Sequence, residues 1–493
     1  MSAGLALAAW AAGRSETGRR MEGVAEDVRL QARERLAPRA PHEALMLVGI
    51  DEMALKVNGQ WPFPRAMHGF LMNFVERSED ARPAVLAWDF LFLEESFERE
   101  MDEMMTAPLA ALSYPVVMGA TGDSDVTGLV VQGRVAAGPA PLAKAEGALA
   151  TITDVGGARL PFPALLDSPA VRVAFLDAEA GSGGVVREIP LVVRVGDAVY
   201  PSLVLSCLLE YWKVGYEAVG IEPGRRLRIA LRDGRTVAVP IDRRGYYRLN
   251  YRHELRTGGV EASMDETLAI NDMIARASER GPLMPMISYH GLYVRQMERT
   301  EFGEKRSAPP TGGRIVVVGQ VASGLTDIGP SPLRDKSAKV LVHLNAMDNI
   351  LNDDYLVGVP PGWVLFAALG LGLGAAWALD RGGYGWYAVT APLAIAGLAA
   401  GATGALILGN VMAPLALPLA ALVVQQGAVL TLKIREERAQ RERVKGMFGT
   451  YVSPALVKRM VDSGEEPRLG GVEEEITAYF SDIEGFSGFS EKL

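Results

Sequence analysis

Three uncharged stretches follow one another late in the chain: PGWVLFAALGLGLGAAWAL (361–379), GWYAVTAPLAIAGLAAGATGALI (385–407) and VMAPLALPLAALVVQQGAVLTL (411–432). Residues 355–379 give 25 positions without a charge; Asp380 and Arg381 interrupt, and 382–432 add 51 more without Asp, Glu, Lys, Arg or His. A helix of about 20 apolar residues crosses a bilayer, so this block predicts three membrane spans joined by very short loops. Buried helices of a soluble core are the competing reading, which three such segments in a row disfavour. Gly370 with Gly374, and Gly397 with Gly401, have the small-xxx-small spacing that predicts closely packed helices.

Basic residues near the ends of spans set orientation. Lys433, Arg435, Arg438, Arg441, Arg443 and Lys445 follow the third span, which places that end in the cytoplasm and everything before Pro361 outside. Arg381, in the first loop, then falls inside, in agreement. The net charge is −9, of which the first 359 residues carry −7. An acidic outer part excludes nucleic acid and anionic lipid surfaces as its main partners. Cys207 is the single cysteine, so no internal disulfide framework and no cysteine-based zinc site is available. It reads as a buried apolar residue, with an intermolecular disulfide as the minority alternative. A mean hydropathy of +0.13 is accounted for by the membrane block. At the N-terminus, residues 2–13 are apolar but too short to span. They are expected to be the surviving half of a longer anchor.

Residues 42–355 read as a mixed α/β domain. Apolar, β-branched runs bounded by turn residues predict strands over 45–50, 84–89, 116–119, 187–195, 227–231 and 314–319. Helical patterns cover 66–77, with Phe70, Leu71, Phe74 and Val75 along one face, and 201–213. The charged stretch 14–36 suits a stalk helix rising from the membrane. Gly319–Gly324 has phosphate-loop spacing, but Leu325 stands where the lysine belongs, so a plain strand-to-turn connection is expected. His42, His68, His253, His290 and His343 are scattered without an i, i+4 pair and imply no metal site.

Several of these residues, taken in order, resemble a known family. Val48-Gly49-Ile50-Asp51-Glu52, Trp61-Pro62-Phe63-Pro64-Arg65 and Ala87-Trp88-Asp89-Phe90-Leu91-Phe92 come first. Val199-Tyr200-Pro201-Ser202-Leu203 follows, then Arg314–Gly319, Ala322, Asp327 and His343-Leu344-Asn345-Ala346. The set resembles the second class of CHASE sensor domains and covers residues 42–355, with three spans after it as in that family. The resemblance implies an extracytoplasmic sensor for an unidentified ligand. Asp51, Trp61, Arg65 and Asp89 read as fold-bearing turn and strand-end residues ahead of ligand contacts.

Beyond the membrane block, 433–446 is charged and helix-forming, a juxtamembrane signalling helix or simply a solvated one. Tyr451–Pro454 opens another short helix, through residue 461. An alternating strand over 475–481 then ends at Asp482-Ile483-Glu484-Gly485-Phe486-Ser487. A carboxylate at a strand end, a glycine turn and a helix start suit a divalent metal and phosphate oxygens, although such an aspartate is more often a cap or turn residue. Leu469-Gly470-Gly471, Thr477–Ile483, Gly485-Phe486-Ser487 and Ser490-Glu491 resemble the opening of the class III adenylate and guanylate cyclase domain, of α+β ferredoxin-like fold. The resemblance implies that Asp482 and the Ile483 carbonyl bind metal, and that backbone N–H groups of Gly485, Phe486 and Ser487 bind nucleotide phosphates. It further implies two divalent ions (Mg²⁺ or Mn²⁺), a homodimeric site and ATP ahead of GTP as substrate. The rest of that catalytic domain would lie beyond Leu493, so the chain is expected to be truncated and inactive by itself.

The expected organisation is a partial anchor and stalk (1–41), a sensor (42–355), three transmembrane helices (356–432), a signalling helix and linker (433–468) and the start of a cyclase domain (469–493). The expected function is a multi-pass sensor nucleotide cyclase of the plasma or inner membrane, with its sensor outside, its C-terminus cytoplasmic and no nucleic-acid partner. A non-catalytic CHASE-type receptor is the alternative.

Overall fold

Six consecutive apolar residues, Leu45–Ile50, form strand β1, and all six are buried. Such a run suits a strand covered on both faces, the condition of a parallel sheet. The computed structural model describes residues 15–449 apart from 78, 137, 180, 256–282, 293–310 and 326, together with eight residues between 475 and 484. Around β1 lie β2 (Val85–Leu91), β3 (Val116–Asp123), β4 (Val171–Phe175), β5 (Met286–Ser288) and β6 (Ile315–Gln320). Their order is β5-β1-β6-β2-β3-β4, with every neighbouring pair parallel.

Alternation along the strands divides the core in two. Leu45, Leu47, Val85, Ala87, Ile315 and Val317 face one side, where Cys207 and its neighbours on a helix at Leu203–Trp212 cover them, with a second helix at Val340–Leu351. Met46, Val48, Ile50, Leu86, Trp88 and Val318 face the other, against Leu71, Met72 and Val75 of a helix at Arg65–Arg77 and Met105 of one at Arg99–Thr106. Helices on both faces of a parallel sheet make this the doubly covered α/β architecture. Gly69 lets two helices meet: a Cβ there would stand 2.1 Å from the Met104 carbonyl oxygen.

Several sequence expectations need correction. The helix face at Arg65–Arg77 is set by His68, Leu71, Met72 and Val75, whereas Phe70 is 39% exposed. The expected strand over 187–195 is two: Glu188–Pro190 pairs with Tyr246–Arg248, and Val192–Val195 pairs with Ala198–Pro201. Leu191 breaks the run because its N–H donates to the Gly245 carbonyl.

The stalk is α1 (Glu16–Leu36); Ser15 caps it by accepting from the Gly18 N–H at 3.0 Å. Labels continue with α2 (Glu52–Asn58), α3 (Arg65–Arg77), α4 (Arg99–Thr106), α5 (Leu203–Trp212), α6 (Val340–Leu351), α7 (Pro361–Gly409) and α8 (Ala416–Gly449). Both α7 and α8 are long and apolar enough to cross a membrane. As a straight rod, the 49 residues of α7 would hold its ends about 73 Å apart. Instead Val357–Gly358, just before it, pairs with Val411–Met412, just after it. The helix therefore folds back on itself, and the break is Gly383, whose φ of 71° and ψ of −166° are non-helical. The two arms, 361–382 and 384–409, correspond to the first two apolar segments. Val364 and Ala368 share a buried cluster with Ala394, Leu398 and Ala402.

Two further expectations change here. The third apolar segment does not start as helix: Val411–Met412 is extended and α8 begins at Ala416, after Pro414, which has no N–H to give a helix; Pro418 falls in the first turn of α8, where a missing N–H costs nothing. Nor do the spaced glycines make the close contact. A Cβ on Gly370, Gly374, Gly397 or Gly401 would meet nothing within 4 Å, whereas one on Gly372 would collide with the Gln425 side chain.

Candidate functional site

Two places concentrate polar groups against the core. The first is the carboxyl edge of the parallel sheet, where open α/β sheets place their ligands. Asp51 ends β1 and caps α2, accepting from the Ala54 N–H at 2.9 Å and the Ser288 hydroxyl at 2.8 Å. Burial raises its carboxyl above the usual range, against those hydrogen bonds. Trp61 stands edge-on to Phe90 at 4.9 Å and to Phe63 at 5.3 Å. Arg65 pairs with Asp102 and lies over the Phe162 ring at 4.8 Å. Asp89 lies 3.3 Å from His343 Nε2. His68 is sealed in the aromatic cluster with Nδ1 2.9 Å from the Tyr289 hydroxyl, and burial drops it to about 3, so it stays neutral.

Asp51, Trp61, Arg65 and Asp89 thus have fold-bearing partners. Trp61 also lines a crevice with Leu325 and Gln320, and the Gln320 Oε1 is buried without a hydrogen bond. The loop with phosphate-like spacing is a strand-to-turn connection. Its Val321 and Ala322 N–H groups donate to the Ile50 carbonyl, and Ser323 N–H donates to Glu52 at 2.9 Å, so a carboxylate occupies the place an anion would need.

The second place is the junction of stalk, sensor and the ends of α7 and α8. Arg252, Asp354 and Asn410 form a closed polar triangle. The Arg252 guanidinium donates to Asp354 at 2.8 and 3.0 Å and to Asn410 Oδ1 at 2.8 Å, and the Asn410 amide donates to Asp354 at 2.5 Å. Burial would raise the Asp354 carboxyl, but Arg252, with Arg39 and Asn410, outweighs it and holds that carboxyl below its ordinary value. Asn410 closes α7 in the left-handed conformation (φ 52°), which asparagine tolerates better than most residues.

From the stalk, Arg33 donates to the Tyr251 carbonyl at 2.8 Å and Arg29 to the Ala413 carbonyl at 2.5 Å. Glu22 accepts from the Leu415 and Ala416 N–H groups at 2.9 Å, satisfying donors at the start of α8. Burial lowers Arg33 to about 9, yet it remains the charged partner at neutral pH.

Helix α6 anchors this junction to the sensor core through residues that stand out on an otherwise apolar helix. Asn345 accepts from the Arg252 and His253 N–H groups at 2.9 Å each. Asn349 accepts from the Asn250 N–H at 2.9 Å and the Tyr247 hydroxyl at 3.2 Å. Asp348 lies 2.9 Å from His253 Nε2 and also pairs with Arg39. Sequence reasoning missed nearly all of these. Their only signals were Asn345, within a family-like motif, and the i, i+4 arginines Arg29 and Arg33 on the expected stalk helix.

Ile483, Gly485, Phe486 and Ser487 lie outside the described residues, as does the helix expected after Tyr451. Asp482 is described and exposed. The described residues between 475 and 484 carry no regular secondary structure beyond a turn at Glu484, where a strand is expected, with Tyr479 88% and Phe480 91% exposed. A strand exists only by pairing, and no partner for this one occurs among the described residues.

No curated protein and no solved structure matches the chain. A family model does match: the CHASE2 domain, over residues 4–379. That span is wider than the expected 42–355, taking in the stalk helix and the first arm of α7, the parts joined at the junction. By this match over most of its length the chain belongs to the CHASE2 domain family, sensor domains that stand outside the membrane in signal-transduction proteins.

Proposed function

We propose that the chain is a multi-pass membrane sensor of the plasma or inner membrane. A signal received outside would be carried through three spans, the two arms of α7 and the apolar part of α8, to a cytoplasmic output. The observation that supports this reading most is the junction: charge-assisted hydrogen bonds tie the sensor at Arg252 directly to Asn410, and the stalk joins Tyr251, through Arg33, to Ala413 and the start of α8, through Arg29 and Glu22. Such bonds are costly to break, so a shift of the sensor moves the helix ends with it. The basic run from Lys433 to Lys445 favours a cytoplasmic end for α8.

Thiol labelling tests the topology. Cys207 is buried, with its thiol pushed up by burial, so the parent chain gives a silent background. Arg232→Cys is expected to react with a membrane-impermeant maleimide in intact cells, and Arg441→Cys only after permeabilisation. The reverse pattern would overturn the orientation.

For the output we propose a class III nucleotide cyclase, acting as a homodimer on ATP. The carboxylate of Asp482 and the carbonyl of Ile483 are hard oxygen donors of the kind Mg²⁺ or Mn²⁺ takes, and the N–H groups of Gly485, Phe486 and Ser487 would meet the phosphates. The metals would supply Lewis-acid activation of the attacking hydroxyl. In a protein carrying the whole catalytic domain, Asp482→Ala is expected to abolish cyclic nucleotide formation with expression intact. Retained activity would remove Asp482 from the metal role.

A further inference from the structure

The stalk, the sensor and the ends of α7 and α8 enclose a cavity of about 790 Å³. That lies within the range of about 300–1,000 Å³ typical of small-molecule sites. Its two sides differ in chemistry. The stalk and sensor contribute Arg19, Arg187, Arg244 and Arg248, together with Glu22, Glu26, Glu179 and Glu188. The helix ends contribute Val359, Leu365, Met412, Leu417 and Pro418. Charged groups on one side and apolar groups on the other fit an amphipathic molecule.

The position is equally informative. Trp363, 71% exposed, sits one residue from Gly362 of the cavity wall, while Trp377 and Trp386, 63% and 66% exposed, flank the Gly383 break at the far end of the arms. Tryptophans gather at the two bilayer interfaces, so this pair of levels sets the cavity mouth at the outer headgroups. Leu365 and Leu417 then lie on the acyl side and the arginines on the water side. The lining charges balance in sign and are paired: Arg244 with Glu188 at 3.0 Å and Asp242 at 2.9 Å, Arg248 with Glu26 at 2.8 Å, and Arg187 with Asp27 at 2.6 Å. A net-anionic headgroup would meet as many carboxylates as guanidiniums, whereas a zwitterion satisfies both signs.

We infer that this cavity binds one phospholipid of the outer leaflet with a phosphoethanolamine headgroup. Its phosphate meets the guanidinium forks, its ammonium meets Glu179 and Glu188, and its acyl chains run along Leu365 and Leu417. Guanidinium suits phosphate because its planar fork donates two parallel hydrogen bonds. The inference rests on the membrane reading of α7 and α8 given above, and it makes the membrane itself a ligand at the place where sensor and helices join.

The test uses the full chain in nanodiscs of equal phosphatidylethanolamine and phosphatidylglycerol, followed by detergent delipidation and mass-spectrometric counting of retained lipid. The parent chain is expected to retain phosphatidylethanolamine preferentially. Leu417→Trp and Leu365→Trp, which fill the apolar end, are each expected to lower that retention by about tenfold. Leu373→Trp, on an exposed face away from the cavity, is expected to leave it unchanged. Equal retention of the two lipids, or unchanged retention in both cavity variants, would overturn the inference. Displacement of the lipid by soluble phosphoethanolamine would also overturn it, assigning the site to a water-soluble amine phosphate. Thiol labelling checks the membrane reading separately, so a correctly inserted chain without lipid preference counts against this site alone.

Discussion

Glu34 shows what the junction asks of single residues. Both of its carboxylate oxygens are buried without a hydrogen bond, and it is faced by Arg33 and Arg39 from the stalk segment and by Arg252 and His253 from the sensor. Burial raises its carboxyl to about 7 in spite of those cations. The folded chain therefore holds a proton that the unfolded chain releases above its ordinary value of 4.5. The sign follows from linkage: between those two values the native state binds more protons, so stability falls as pH rises through about 7. Glu34→Gln is expected to shrink the loss of thermal stability between about pH 5 and pH 8, and an unchanged pH dependence would show that Glu34 is ionised in the fold. At this scale the sequence was readable where residues are apolar and contiguous. Leu45–Ile50 is a strand with the bounds expected of it. It was unreadable where partners are polar and distant, since nothing local links Arg33 to Tyr251 or Arg252 to Asn410.

Elements were legible by period and length, and their ends by proline and glycine. The arms of α7 fall where uncharged length placed them, and the break falls inside the expected first loop. What composition could not give was how sharply the chain turns. Gly383 adopts a backbone region that is nearly reserved for glycine, and its role is to reverse the helix while costing no side-chain clash. Gly383→Ala is expected to cost about 1–3 kcal/mol of stability, read as a lowered melting temperature of the purified protein. Gly385→Ala, where a Cβ would meet nothing within 4 Å, is the control expected to melt like the parent. Equal melting of the two variants would show that the reversal does not depend on that glycine. The missed start of α8 has the same kind of cause: hydropathy counts Val411 and Met412 as apolar and is blind to their pairing with Val357–Gly358 and to Pro414 after them.

At the scale of the whole molecule, the α/β sensor class was legible, because alternating apolar runs and helical patterns leave few other architectures. The junction was not, because it is built by charged side chains that composition assigns to solvent. Its strength is measurable as a coupling. The Arg252→Gln and Asn410→Ala variants and their double variant form a thermodynamic cycle, with an expected interaction energy of about 0.5–3 kcal/mol. Strict additivity would mean that sensor and helix end are only neighbours.

The short pairing of Val357–Gly358 with Val411–Met412 has a mechanical corollary. It pins the two arms of α7 together at their sensor end, through hydrogen bonds such as Val357 N–H to the Asn410 carbonyl at 2.9 Å. Sliding one arm past the other, as a piston, would have to shear that clasp, whereas a tilt of both arms as one body leaves it intact and loads instead the Arg252–Asn410 and Arg29–Ala413 bonds beside it. The hairpin is thus expected to tilt as one body, with the Gly383 tip, farthest from the clasp, travelling the most.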